Sequence, residues 1–75
     1  MSDDVATLDR QIIQLLGRRA AAAHRQVHAR VASGGSRTSL AEENLVIERY
    51  REELGRPGVN LALLVLGLPE RLPAL

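Results

Sequence analysis

The sequence predicts an all-α fold: three helices, one long and two shorter, forming an intertwined homodimer. Three observations carry this reading. Apolar residues from Val5 to Val31 recur at helical spacing, as Val5, Leu8, Ile12, Leu15, Leu16, Ala23 and Val27. No alternating run signals a strand. The first helix would be about 40 Å long at 1.5 Å per residue, whereas a compact globule of this size has a radius of gyration near 11 Å and a diameter of about 30 Å. With 75 residues the chain reads as one domain spanning residues 1–75, burying only about 60% of its unfolded surface. The overhanging apolar stripe then needs a second copy, so a homodimer is expected.

The first helix is expected to start near Ser2 or Asp3, where Ser or Asp caps and acidic residues suit the positive helix end. It ends before Ser33-Gly34-Gly35-Ser36, whose glycines are free to take positive φ. Ser39-Leu40-Ala41-Glu42 reads as a capping box, with Ser39 as N-cap and Glu42 at the third helical position. That second helix runs through Leu45, Val46, Ile47 and Tyr50 to Leu54, and Gly55 stops it. Arg56-Pro57-Gly58 reads as a turn. Asn60 is then expected to cap a short third helix, Leu61 to Leu68, with Val59 and Leu64 as a hydrophobic staple. Pro69 and Pro73 should prevent a regular continuation. This helix is apolar nearly all round, so it is expected to be buried against the long helix or the partner copy.

Composition excludes several classes of function. There is no Cys, so neither disulfides nor thiolate metal sites are available. Residues 1–38 carry six Arg against three Asp, a balance of +3, and residues 39–75 carry four Arg against six Glu, a balance of −2. That mild asymmetry is unlike a nucleic-acid footprint, and the single Tyr, with no Phe or Trp, offers no stacking platform for single strands. The longest apolar run, Leu61 to Leu68, is far short of the 18 or more residues that span a bilayer. The acidic N-terminus lacks an apolar signal region, so the chain reads as cytoplasmic.

The chemistry-bearing positions lie on the long helix. Arg19 and Arg30 are eleven residues apart, which at about 100° per residue returns them to within roughly 20° of one another on the apolar stripe. Arg10, Gln14, Arg18, Arg25 and His28 fall on the opposite, solvated side. Two permanent cations in a helix seam are costly unless an anion meets them. One reading is a dianionic ligand gripped by both; the other is that both side chains reach the rim or pair with carboxylates elsewhere in the fold. Glu43 shares a face of the second helix with Ile47, Tyr50 and Leu54, where it can pair with Arg30 or accept a ligand hydroxyl, or simply suit the helix dipole. His24 and His28 are spaced i, i+4 but have no third ligand, so no metal is expected.

The stretch Leu8-Asp9 through Leu15-Leu16-Gly17-Arg18-Arg19, followed after eleven residues by Arg30, resembles the first helix of the all-helical chorismate mutases. Ala29-Arg30-Val31-Ala32-Ser33-Gly34-Gly35-Ser36-Arg37 and Val46-Ile47-Glu48-Arg49-Tyr50 resemble more narrowly the short actinobacterial intracellular subclass. The resemblance implies a dimeric, cytoplasmic isomerase of aromatic amino-acid biosynthesis. Such an enzyme converts chorismate to prephenate by an intramolecular Claisen rearrangement with no cofactor. It further implies that Arg19 binds a substrate carboxylate and that Arg30 faces the ether oxygen. Glu43 would bind the ring hydroxyl, while Ser39, Glu42 and Val46 line the pocket. Two departures bear on rate. The family sends an arginine from the start of the first helix into the partner's site, and Ser2 stands there. The family arginine before the helix-two glutamate is here Glu42. The activity implied is therefore weak in isolation, with Arg37 and Arg10 as the cations available to compensate. Relatives of the short subclass dock on 3-deoxy-arabino-heptulosonate 7-phosphate synthase, which makes that synthase the expected partner. Two alternatives accompany this reading. One is a catalytically reduced regulatory module of the same fold that docks on the synthase. The other is a mutase or lyase for amino-chorismate or isochorismate, in which Glu42 pairs with a substrate ammonium.

Overall fold

The computed structural model describes residues 4–72 and contains α1 (Val5–Ala32), α2 (Leu40–Leu54) and α3 (Arg56–Arg71), with no strand among the described residues. The all-helical, three-element plan agrees with the sequence reading.

The N-cap of α1 is Asp4, where a cap at Ser2 or Asp3 was expected; those two residues lie outside the described range. Asp4 accepts the Thr7 backbone N–H on Oδ1 and the Thr7 hydroxyl on Oδ2, each at 2.9 Å. It thus satisfies one of the orphan amide donors of the first turn. The other end of α1 is a Schellman closure. Gly35 N–H donates to the Arg30 carbonyl at 2.8 Å and Gly34 N–H to the Val31 carbonyl at 3.0 Å. Gly34 takes φ +89°, which a side chain would strain.

Ser39 caps α2, accepting the Glu42 N–H on Oγ at 3.3 Å. The helix stops at Gly55, with φ +73°. The third helix departs from expectation. It starts at Arg56 rather than Leu61, so the chain turns from α2 to α3 on Gly55 alone. Pro57 sits in the first turn, where a missing N–H costs nothing and the fixed φ suits the helix. Asn60 is consequently an exposed interior residue and not a cap, and Val59 and Leu64 form no staple. Gly58 explains the sharp corner: a Cβ there would overlap the Tyr50 carbonyl oxygen and lie 2.8 Å from its carbon. Pro69 does not end α3 either. It lies inside the final turns, and the helix closes with Leu72 N–H on the Leu68 carbonyl at 2.9 Å.

α3 packs against both other helices, whereas α1 and α2 do not pack on each other. Small residues allow this: Ala20 on α1 and Gly58, Ala62 and Val65 on α3 are buried. The rest of α3 is less covered than its composition suggests, with Leu63 and Leu64 56% and 66% exposed. The first half of α1 is also bare, from Val5 through Leu8, Ile12 and Ile13 to Leu15. The chain measures 45 × 30 × 20 Å with a radius of gyration of 14.1 Å, well above the roughly 11 Å of a compact chain of this length. Its accessible surface of 6224 Å² likewise exceeds the about 4,500 Å² of a folded monomer of this mass.

The crowding at Gly58 makes a direct prediction. Gly58→Ala gains about 1 kcal/mol in helix propensity but drives a methyl group into backbone, so the net loss should be about 2 kcal/mol, or roughly 10 °C in Tm. Thermal unfolding followed by circular dichroism measures this; an unchanged or raised Tm would contradict the corner as described.

Candidate active site

The site grows from the end of α1. Gly35 crosses so close to Arg30 that a Cβ would lie 2.6 Å from Arg30 Cγ, so this second glycine is required by approach rather than by its own φ. The chain from Ser33 to Thr38 then curls around the Arg30 side chain. Arg30 Nε donates to the Ser36 carbonyl at 2.7 Å and Nη2 to the Arg37 carbonyl at 3.1 Å. Nη1 donates to Glu42 Oε2 at 2.6 Å, a charge-assisted bond between α1 and the first turn of α2. The connector adds its own turn, with Thr38 N–H donating to Ser36 Oγ at 3.2 Å.

This geometry corrects one expectation and narrows another. Glu42 was expected to return to Ser39 as the second half of a capping box, while Glu43 was open to pairing with Arg30, to a ligand hydroxyl or to the helix dipole. Glu42 instead gives its carboxylate to Arg30, and Glu43 makes no ion pair among the described residues. The physical reason is reach: Arg30 is fastened to the connector and presents Nη1 to the start of α2, and a full salt bridge outweighs a neutral N–H bond. With side chains 25% and 56% exposed, the pair contributes at most about 1 kcal/mol to stability.

Beside this pair lies a cleft of about 370 Å³, within the range of small-molecule sites. All six residues singled out from sequence line it: Arg19, Arg30, Ser39, Glu42, Glu43 and Val46. Arg19 and Arg30, about 16 Å apart along the helix axis, stand at two ends of a wall completed by Ala23 and Val27. Val46 and Leu66 add apolar surface from α2 and α3. Arg37 borders the same space. Arg10 does not; it is exposed on the first turns of α1, 3.5 Å from Thr7 Oγ1.

Sequence reasoning missed Arg49, Pro69 and Glu70. Arg49 follows Glu42 and Val46 at i+7 and i+3, so the helical face already named should have included it. Pro69 and Glu70 were hidden by the expectation that α3 ends at Leu68. In all, the lining has four arginines against three glutamates, a formal charge of +1.

The cleft has the parts for electrostatic recognition of a small carboxylic acid: fixed cations, a half-buried carboxylate at Glu43 and apolar walls. His24 borders it, its ring centroid 5.0 Å from that of His28. No group of three or more His, Cys, Asp or Glu able to hold a metal occurs among the described residues. Nor is any described helix long and apolar enough to cross a membrane. Outside the cleft, Glu48 and Arg51 form an ion pair along α2. The hydrogen bonds from Arg51, at 2.7 and 3.1 Å, hold the Glu48 carboxyl below its ordinary range, with the Arg51 charge adding to this.

Comparison with known proteins bears on this geometry. The chain is 43% identical over 68 residues to the intracellular chorismate mutase of Mycobacterium tuberculosis, covering 91% of the chain and 64% of that protein. It is 42% identical over 65 residues to the intracellular chorismate mutase of Mycolicibacterium smegmatis, covering 87% and 62%. The chain therefore spans a little under two thirds of the length of these curated relatives. Among solved structures it superposes with a TM-score of 0.84 and 30% identity on a chain from a non-covalent complex of DAHP synthase and chorismate mutase of Corynebacterium glutamicum with a bound transition-state analogue. That match covers 93% of this chain and 84% of the other. No protein-family model matches the chain.

Proposed function

The chain belongs to the chorismate mutase family of all-helical fold, and from that premise we propose that it converts chorismate to prephenate. The observation that carries the proposal is the meeting of Arg19, Arg30 and Glu43 around one cleft. Chorismate is a dicarboxylate whose enolpyruvyl ether must fold over its ring before it reacts. In the rearrangement one carbon–carbon bond forms as the ether carbon–oxygen bond breaks, in a single electron shift within the molecule. No proton, group or electron leaves the substrate, so neither a nucleophile nor a cofactor is called for. What remains for the protein is to hold the folded conformer and stabilise charge on the departing oxygen. Arg19 takes a substrate carboxylate, Arg30 faces the ether oxygen, and Glu43 accepts the ring hydroxyl. Ser39 and Val46 shape the entry to α2. An acceleration of about 10⁶ needs roughly 8 kcal/mol, which several preorganised charged contacts supply.

The active form in this proposal is a homodimer. Its support is the uncovered apolar surface of α1 and α3, together with a second, largely apolar groove between Ile13, Leu16, Gly17, Leu68 and Leu72. DAHP synthase is the proposed heterologous partner, by likeness to the Corynebacterium complex.

The Arg30–Glu42 pair favours a second reading, a catalytically reduced regulatory module that acts through the synthase. A glutamate beside two substrate carboxylates opposes their binding: at an effective dielectric near 20, like charges about 4 Å apart cost up to about 4 kcal/mol before relaxation.

Loss of chorismate absorbance with the purified chain separates the readings. The mutase reading expects turnover above background that falls at least about 100-fold in kcat/KM for Arg19→Ala and Arg30→Ala. Arg25→Ala, on the solvated side of α1, should change it less than about twofold. No turnover by the chain, alone or with the synthase, would overturn the mutase reading, and an unchanged synthase activity on adding the chain would overturn the regulatory module. Sedimentation equilibrium at micromolar concentration should report a dimer, and a monomer would contradict the proposed assembly.

A further inference from the structure

The Arg30 guanidinium has two edges with different partners. Nε and Nη2 form one edge, and both are engaged by backbone carbonyls, of Ser36 and Arg37. The far edge carries Nη1, on which Glu42 Oε2 sits at 2.6 Å, and both residues line the cleft. The two carbonyls fix the direction in which the cation presents itself; they cannot neutralise it. Glu42 does so, from the position that a carboxylate or ether oxygen of a ligand in the cleft would occupy. The Glu42 side chain is 56% exposed and its carboxylate is held by no other described group, so it can swing into water.

We propose that Glu42 is a tethered competitor for Arg30: an affinity-determining residue whose carboxylate occupies the ligand's seat and must leave before a dicarboxylate is bound. This rests on the reading above insofar as the ligand is a small dicarboxylate. Glu42 carries no part of the reaction. Two consequences follow from the charges. Removing the Glu42 carboxylate frees the far edge of Arg30, so anionic ligands bind more tightly. The effect must also be specific to Glu42, because Glu70 lines the same cleft without touching Arg30.

Calorimetric titration of the dimeric chain with prephenate, itself a dicarboxylate and unreactive toward the proposed rearrangement, tests this without relying on turnover. Glu42→Gln should lower Kd roughly fivefold relative to the parent chain, with Glu42→Ala as a second variant should the first misfold. Glu70→Gln should change Kd less than about twofold. Circular dichroism checks that each variant is folded. An unchanged or weaker Kd in folded Glu42→Gln overturns the proposal, and so does a Glu70→Gln effect equal to it, which would show net charge rather than seat competition. The parent reading fails independently. A chain that does not turn over chorismate, but whose Glu42→Gln variant holds prephenate more tightly, loses the mutase reading and keeps this one. A chain that turns over chorismate but gains no affinity in Glu42→Gln does the reverse.

Discussion

The cleft depends on one fastening, the hold of the α1–α2 connector on Arg30. α1 and α2 do not pack together, so the end of the first is tied to the start of the second by the connector and by the Arg30–Glu42 ion pair. A helix end normally splays into solvent after its last capped turn. Here Gly34 reverses the chain with a positive φ, and Gly35 brings it against the Arg30 side chain. Two carbonyls then lie within hydrogen-bond distance of the guanidinium. A cation that would otherwise sweep through many rotamers is held in one, and that is what a preorganised electrostatic site requires. The same fastening brings Ser39, Glu42 and Glu43 alongside α1, because the connector sets where α2 begins.

The rest of the architecture is economical to the point of incompleteness. α3 turns back from α2 on a single glycine, and its small residues let it approach both neighbours. The core so formed is thin, and long stretches of α1 and α3 leave apolar side chains in water. An accessible surface well above that of a compact monomer expresses the same fact. In the proposed homodimer these apolar stretches are the surface available for burial, and covering them would hold α1 along its length.

Much of this was legible in the sequence, for identifiable reasons. The 3.6-residue period of the apolar stripe located α1, and the eleven-residue spacing put Arg19 and Arg30 on one face. Ser39 announced the start of α2 and Gly55 its end. The failures share a cause: proline and glycine were read as breakers irrespective of position. Pro57 is compatible with a first turn, and Gly58 is inside a helix because two backbones meet there, a tertiary fact that local sequence does not carry. Moving the start of α3 to Arg56 and its end to Arg71 added Pro69 and Glu70 to the cleft. The partner of Arg30 stayed open for a related reason. Glu42 and Glu43 are adjacent, the capping-box pattern claimed one of them, and only the direction fixed by the Ser36 and Arg37 carbonyls decides which carboxylate meets the cation.

The most direct measurement is a crystal structure of the chain with prephenate bound. Arg30 should keep its bonds to the Ser36 and Arg37 carbonyls, meet the ligand with its far edge, and release Glu42 to solvent while Arg19 takes a carboxylate at the other end. An Arg30 swung away from the connector, or prephenate seated with neither arginine in contact, would contradict the account.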